Sequence, residues 1–232
     1  MNLLLAPIIM KHAIGTADTY SQSFKYLGIP LHFHTALDLF RTLLLFSGLF
    51  LGPIIDNALL RDEDSQEEEE EEDEGWMSIY RFRDLIFAPV TEEIIFTSIS
   101  TGLFIPLIEE DPSIEEKVVA LTPLLFGVSH LHHGVELLKQ GHALAPVLIT
   151  IIFQLIYTTF FGILTNLIFL NSRSIWCCIA AHSFCNFFGV PAFRIETNNP
   201  LRRYGYWALL VFGIWFFRTR FNDMTMRMDT ST

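Results

Sequence analysis

Long apolar runs, each interrupted by one or two polar positions, follow one another along most of the chain. A membrane-spanning helix needs about 20 such residues. Residues 35–55, TALDLFRTLLLFSGLFLGPII, reach that length with Arg41 inside. Residues 85–108, LIFAPVTEEIIFTSISTGLFIPLI, reach it in spite of Glu92 and Glu93. Residues 118–131, VVALTPLLFGVSHL, form a shorter run that leads straight into histidines, and residues 145–170 are the clearest span. Residues 174–190, SIWCCIAAHSFCNFFGV, are apolar but carry His182 and Asn186. Residues 204–217, YGYWALLVFGIWFF, have the aromatic edges of a helix anchored at a membrane interface. The pattern therefore predicts about six membrane segments, or seven if residues 3–10 add a partial one. Lipid offers no hydrogen-bond partner to an open sheet edge, so the predicted class is all-α. The expected architecture is a polytopic integral membrane helical bundle in one multi-pass domain over 1–232. Orientation is left open by the positive-inside rule. Arg194, Arg202 and Arg203 precede the last run, whereas Arg218, Arg220 and Arg227 follow it.

Composition agrees with the pattern. The 232 residues are 51% hydrophobic with a mean hydropathy of +0.38, too apolar for an ordinary soluble domain. The formal charge of −11 is local, because residues 62–74, DEDSQEEEEEEDE, hold 11 of the 26 acids. The other 15 acids balance 15 Lys and Arg. That run is expected to be a solvated, disordered loop, with attraction of basic substrate tails as the alternative. No basic stripe exists to neutralise phosphates, so a nucleic-acid partner is not expected. Cys177, Cys178 and Cys185 fall in one apolar segment without disulfide-framework spacing. The start, MNLLLAPIIMKHAIG, lacks the charged region of a cleavable signal and reads as the tail of a membrane segment.

Polar groups inside the apolar runs carry the candidate chemistry. One acid at bilayer depth costs a few kcal/mol, roughly 2.5–3.5 for Asp, and two neighbours also repel. On a regular helix Glu92 and Glu93 diverge by about 100°. Glu92 then stacks over Phe96, and Glu93 over Thr97 and Ser100. A carboxylate beside an apolar wall is raw material for a general base; the structural alternative is an interhelical hydrogen bond. In FGVSHLHHGVE, residues 126–136, His130 stacks on Phe126 at i, i+4 and shares a face with His133 at i, i+3, while His132 points elsewhere. Zinc is considered, but HExxH is absent. In HSFCN, residues 182–186, His182 and Asn186 share a face, and Asn can orient a histidine or bind an oxyanion. A metal site with Cys178 and Cys185 is the less favoured option, since buried thiols are ordinary packing residues.

EEIIFT (92–97), FGVSH followed by LHH (126–133), and HSFCN followed by FFGVP (182–191) resemble the three motifs of the type II CAAX prenyl endopeptidases. These are the Ras-converting intramembrane proteases of the CAAX-protease and bacteriocin-processing superfamily. The resemblance runs over roughly residues 40–205, with the motifs in order. It implies removal of the last three residues from farnesylated or geranylgeranylated CAAX proteins, such as Ras-like small GTPases, in the endoplasmic reticulum membrane. By the resemblance, Glu92 and His130 activate water, and His182 and Asn186 stabilise the oxyanion. Glu93 and His133 are supporting residues, and no cofactor or metal is assigned. Membrane lipids are the surroundings. Two departures are visible. The family motif ends EExxxR, whereas Thr97 offers a hydrogen bond but no charge at the Arg position. Family members also carry further membrane segments upstream, so the chain reads as N-terminally short. An inactive family member that binds prenylated tails as an adaptor is the first rival. A proton-coupled or metal transporter is the second, disfavoured by the absence of a visible internal repeat.

Overall fold

The computed structural model describes residues 2–15, 17–31, 34–59, 79–189, 197 and 199–226. Among these the regular structure is helical and no strand occurs. In chain order the helices are α1 (Asn2–Ile8), continued by a π-helical stretch over Ile9–Ile14, α2 (Tyr20–Tyr26), α3 (Thr35–Leu49) and α4 (Leu51–Leu59). There follow α5 (Ile79–Glu110), α6 (Glu115–Ser129), α7 (Leu131–Lys139), α8 (Leu144–Ser172), α9 (Ile175–Phe188) and α10 (Pro200–Thr225). The acidic run 62–74 lies outside the described residues, as do Val190, Pro191 and Arg194.

Three helical segments are long and apolar enough to cross a membrane: Ile79–Glu110, Pro112–Lys139 and Leu144–Ser172. A fourth is obtained if α3 and α4, bent by 76° at their junction, count as one broken span. The protein is thus an all-α polytopic membrane protein. The hydrophobic pattern predicts six to seven segments, and three or four described helices are both long and apolar enough to be counted. The apolar stretch of α9 is 14 residues, about 21 Å at 1.5 Å per residue against a hydrocarbon core of about 30 Å. In α10 the apolar stretch between Arg203 and Arg218 is also short, although the helix extends to 26 residues. Asn199 caps it by accepting from the Leu201 and Arg202 amides, with Pro200 at the first turn.

The chain divides into two compact units. The first comprises residues 1–32 and 91–178. Here α6 and α7 lie along α8, and small residues permit close approach. A Cβ on Gly162 would come within 2.8 Å of Pro123 Cβ, and one on Gly134 would collide with Ile151. Polar side chains then join α5, α6 and α8. Thr101 donates to Asn166 Oδ1 at 2.8 Å, and Asn166 Nδ2 donates to Thr122 Oγ1 at 2.6 Å. All three are buried. The opposite face of α8 is apolar and exposed, with Ile149 71% and Phe153 61% accessible, followed by Ile156 and Phe160. That stripe is the surface lipid covers.

The second unit comprises residues 33–90 and 179–232. Its α10 packs on α3 and α4, with the Gly213 Cα against the Gly48 carbonyl. The bend between α3 and α4 has a covalent cause: Pro53 lacks an N–H, and its ring clashes with the carbonyl four residues back. Asp38, which the hydrophobic pattern passes over, is buried and 3.8 Å from Arg41. Arg41 also donates to the Asp223 and Met226 carbonyls at the end of α10, where a cation complements the helix dipole. Asp56 and Arg202 form a two-pronged ion pair at 2.7 and 3.1 Å. Phe46 and Phe50 pack edge-on against Phe184 of α9.

Candidate active site

Glu92 and Glu93 lie on α5, where an α-helical turn over Ala88–Glu93 passes into a π-helical one over Ile94–Ile99. A regular α-turn, as the spacing predicts, would put Thr97 one turn above Glu93. The π-turn widens the repeat, its backbone hydrogen bonds running from residue i to i+5. Pro89 gives an earlier perturbation a local cause, since the π stretch over Arg83–Phe87 encloses Leu85, the carbonyl its ring opposes. Glu92 is half-buried, and Glu93 is 2% exposed. Thr97 is also buried, its hydroxyl 3.2 Å from that of Thr165. The Cys178 thiol donates to the Thr165 carbonyl at 3.4 Å and lies near enough to Glu93 for electrostatic interaction. Glu93 is therefore a buried carboxyl group with the Cys178 thiol nearby.

His130 joins α6 to α7. Its Nδ1 donates to the Phe126 carbonyl at 2.9 Å, and its ring meets the Phe126 ring at 4.8 Å. The i, i+4 contact with Phe126 thus forms as the spacing predicts. Phe126 in turn packs against Phe96 of α5 at 5.0 Å, which anchors the histidine's helix to the one bearing the glutamates. A carbonyl only accepts, so in the neutral imidazole this bond puts the proton on Nδ1 and leaves the Nε2 lone pair. His133 is an exposed residue, its ring 5.8 Å from His130 and its Nδ1 3.7 Å from Glu136. The His132 ring lies 4.0 Å from that of His133, and its Nδ1 donates to the Ser129 carbonyl at 2.7 Å. Among the described residues no three His, Cys, Asp or Glu side chains converge on a point that could hold a metal ion.

His182 and Asn186 occupy one face of α9 in the second unit. His182 is buried at 6% exposure, whereas Asn186 is exposed. Asn186 Nδ2 donates to the Asp84 carbonyl at 2.8 Å. One of its two amide hydrogens is thereby held and the orientation of the carboxamide fixed. Asn186 lines a cavity of about 470 Å³ together with Asn57, Arg81 and Asp84, backed by Leu85, Phe187 and Phe188. The Asp84 carboxylate accepts from Arg83 Nε at 2.7 Å. Asn57, Arg81 and Asp84 carry no motif signal in the sequence. Their one hint is that charged residues gather at the start of an apolar span.

The profile of the type II CAAX prenyl endopeptidase, Rce1-like family matches residues 75–188, a range that contains all six candidate residues. CAAX prenyl protease 2 of Saccharomyces cerevisiae is 31% identical over 92% of this chain and 78% of its own length. The chain belongs to the type II CAAX prenyl endopeptidase family. It is accordingly an enzyme, a membrane-embedded protease. A further member of this family, the probable CAAX prenyl protease 2 of Schizosaccharomyces pombe, is 28% identical over 76% of the chain and 64% of its own length. Human CAAX prenyl protease 2 is 32% identical over 52% of the chain, and the match covers 36% of the human protein. No solved structure matches the chain.

Proposed function

We propose that this endopeptidase removes the last three residues from farnesylated or geranylgeranylated CAAX proteins, Ras-like small GTPases among them, in the endoplasmic reticulum membrane. Water attacks the carbonyl carbon of the prenylated cysteine. Glu92, with His130, takes the proton from that water and passes it to the departing amine as the peptide bond breaks. His182 and Asn186 stabilise the negative charge on the carbonyl oxygen. Glu93 and His133 support these groups without touching the reacting atoms.

The similarity to a CAAX prenyl protease over 92% of the chain carries the reading, and the local geometry fits it. Nδ1 of His130 is committed to the Phe126 carbonyl, which leaves Nε2 as the nitrogen that accepts a proton. Asn186 holds one amide hydrogen on Asp84 and has the second for an oxyanion. Replacing Glu92 by Gln keeps the shape and removes the base. The Glu92→Gln protein is expected to cleave a farnesylated CAAX peptide about 10²–10⁴-fold more slowly while binding it with similar affinity. Cleavage at near the wild-type rate would refute the role of Glu92.

A further inference from the structure

We propose that Phe96 is the positioning residue that sets His130 relative to Glu92, acting through the ring of Phe126 and touching neither water nor substrate. This rests on the roles proposed above for Glu92 and His130 and adds to them the device that fixes their spacing. One water has to meet a carboxylate from α5 and an imidazole from the end of α6, so the distance between two helices enters the rate. A misplacement of about 1 Å can cost about 10²-fold.

His130 hangs on Phe126 by two contacts. Helix α6 stops at Ser129, and the His130 amide turns back to the Gly127 carbonyl at 3.2 Å. The last carbonyls of a helix lack intrahelical partners. That of Phe126 accepts from side chains, the Ser129 hydroxyl at 2.7 Å and His130 Nδ1 at 2.9 Å. The imidazole also meets the Phe126 ring edge-to-face, with 4.8 Å between centroids and 77° between planes. A shift of Phe126 therefore moves His130. Phe126 is buried, and a Cβ on Gly162 of α8 would lie 3.6 Å from its ring. From α5 it meets Phe96, at 5.0 Å and 36°. Phe96 stands four residues after Glu92. Packed rings thus lead from the helix of one reacting group to the other group, all inside the first unit. Close-packed interiors transmit such displacements. A second joint between α5 and α6, the Thr101–Thr122 hydroxyl contact at 3.2 Å, lies about a turn further along each helix, away from His130. Phe96 is the tie at the level of the site.

Phe96→Leu keeps an apolar side chain and removes the ring. In membranes carrying the full chain it is expected to lower kcat for a farnesylated CAAX peptide about 10- to 100-fold, with KM changed less than about twofold. Phe96→Tyr, which restores a ring, should recover most of the rate. On a His130→Ala background Phe96→Leu should cost nothing more, because its effect runs through the imidazole. Loss of fold alone would reduce activity in both backgrounds. A second readout needs no turnover: nitrogen NMR of the histidine rings in detergent, with His130 assigned from the signal lost in His130→Ala. Wild type is expected to show the Nδ1-protonated tautomer, and Phe96→Leu a mixture of the two. If Phe96→Leu does not fold, Phe96→Met is read in the same way. An unchanged kcat in the folded variant, a change confined to KM, or an equal further loss on the His130→Ala background overturns the positioning role. A tautomer change in Phe96→Leu without wild-type turnover would sustain the positioning and refute the proteolytic reading. Wild-type turnover with rate and spectrum unmoved by Phe96→Leu would do the reverse.

Discussion

At His130 one hydrogen bond fixes the ring orientation and tautomer that the proposed proton transfer requires. The contact that fixes it, Nδ1 to the Phe126 carbonyl at 2.9 Å, is visible in the sequence, because α6 is regular up to Ser129 and i, i+4 neighbours meet on such a helix. The surroundings of the glutamates are less legible. The stretch after Glu93 is π-helical, a departure that apolar periodicity does not register, so the partners of Thr97 and Glu93 had to come from tertiary contacts. Thr97 meets Thr165, 68 residues away. A guanidinium placed at Thr97, where the family motif EExxxR ends in Arg, would be buried four residues along α5 from Glu93. Thr97→Arg is expected to retain cleavage of a farnesylated peptide, and abolition of activity would contradict a pairing of that position with Glu93. For Asn186, the proposed oxyanion role means that substitution by Ala removes a donor that acts as charge develops, along with the bond to the Asp84 carbonyl. The expected result is a fall in kcat of about 10²–10³-fold with little change in KM. A change confined to KM would exclude the oxyanion role.

Helix boundaries and breaks follow partly from local chemistry. Apolar runs give the existence of α3, α5, α6, α8 and α9, while Pro53 turns a single predicted run at 35–55 into two helices bent by 76°. The 204–217 run grows to Pro200–Thr225 because Asn199 and Pro200 start the helix before the apolar residues begin. What no pattern reveals is which polar residues lock helices together. Thr101, Thr122 and Asn166 do so across α5, α6 and α8. Asn166→Leu removes two such bonds, each worth about 0.6 kcal/mol on average in membranes, and should lower the thermal midpoint measured in detergent by an amount equivalent to about 1 kcal/mol. Gly162→Ala tests the packing of α6 on α8. Its new methyl meets Pro123, and overpacking of this kind costs about 1–3 kcal/mol. An unchanged midpoint would show that the two helices can separate freely.

At the scale of the whole molecule, class and family are legible because they rest on composition and on three motifs with fixed spacing. The number of spans is less legible, because three described helices, or four with the bent pair, are long and apolar enough to cross, whereas the apolar stretches at 204–217 and in α9 are 14 residues each. The grouping of candidate residues is legible only as far as one helix reaches. His182 and Asn186 follow from α9, whereas the cavity at Asn186 draws on residues 57, 81 and 84, which no motif connects. The most direct test of the account is cleavage of a farnesylated CAAX peptide by membranes in which this chain is the sole CAAX protease, with Glu92→Gln membranes alongside. Release of the C-terminal tripeptide by wild type and its loss in Glu92→Gln is the predicted result. Absence of the tripeptide with wild type, or its release at equal rates by both, would contradict it.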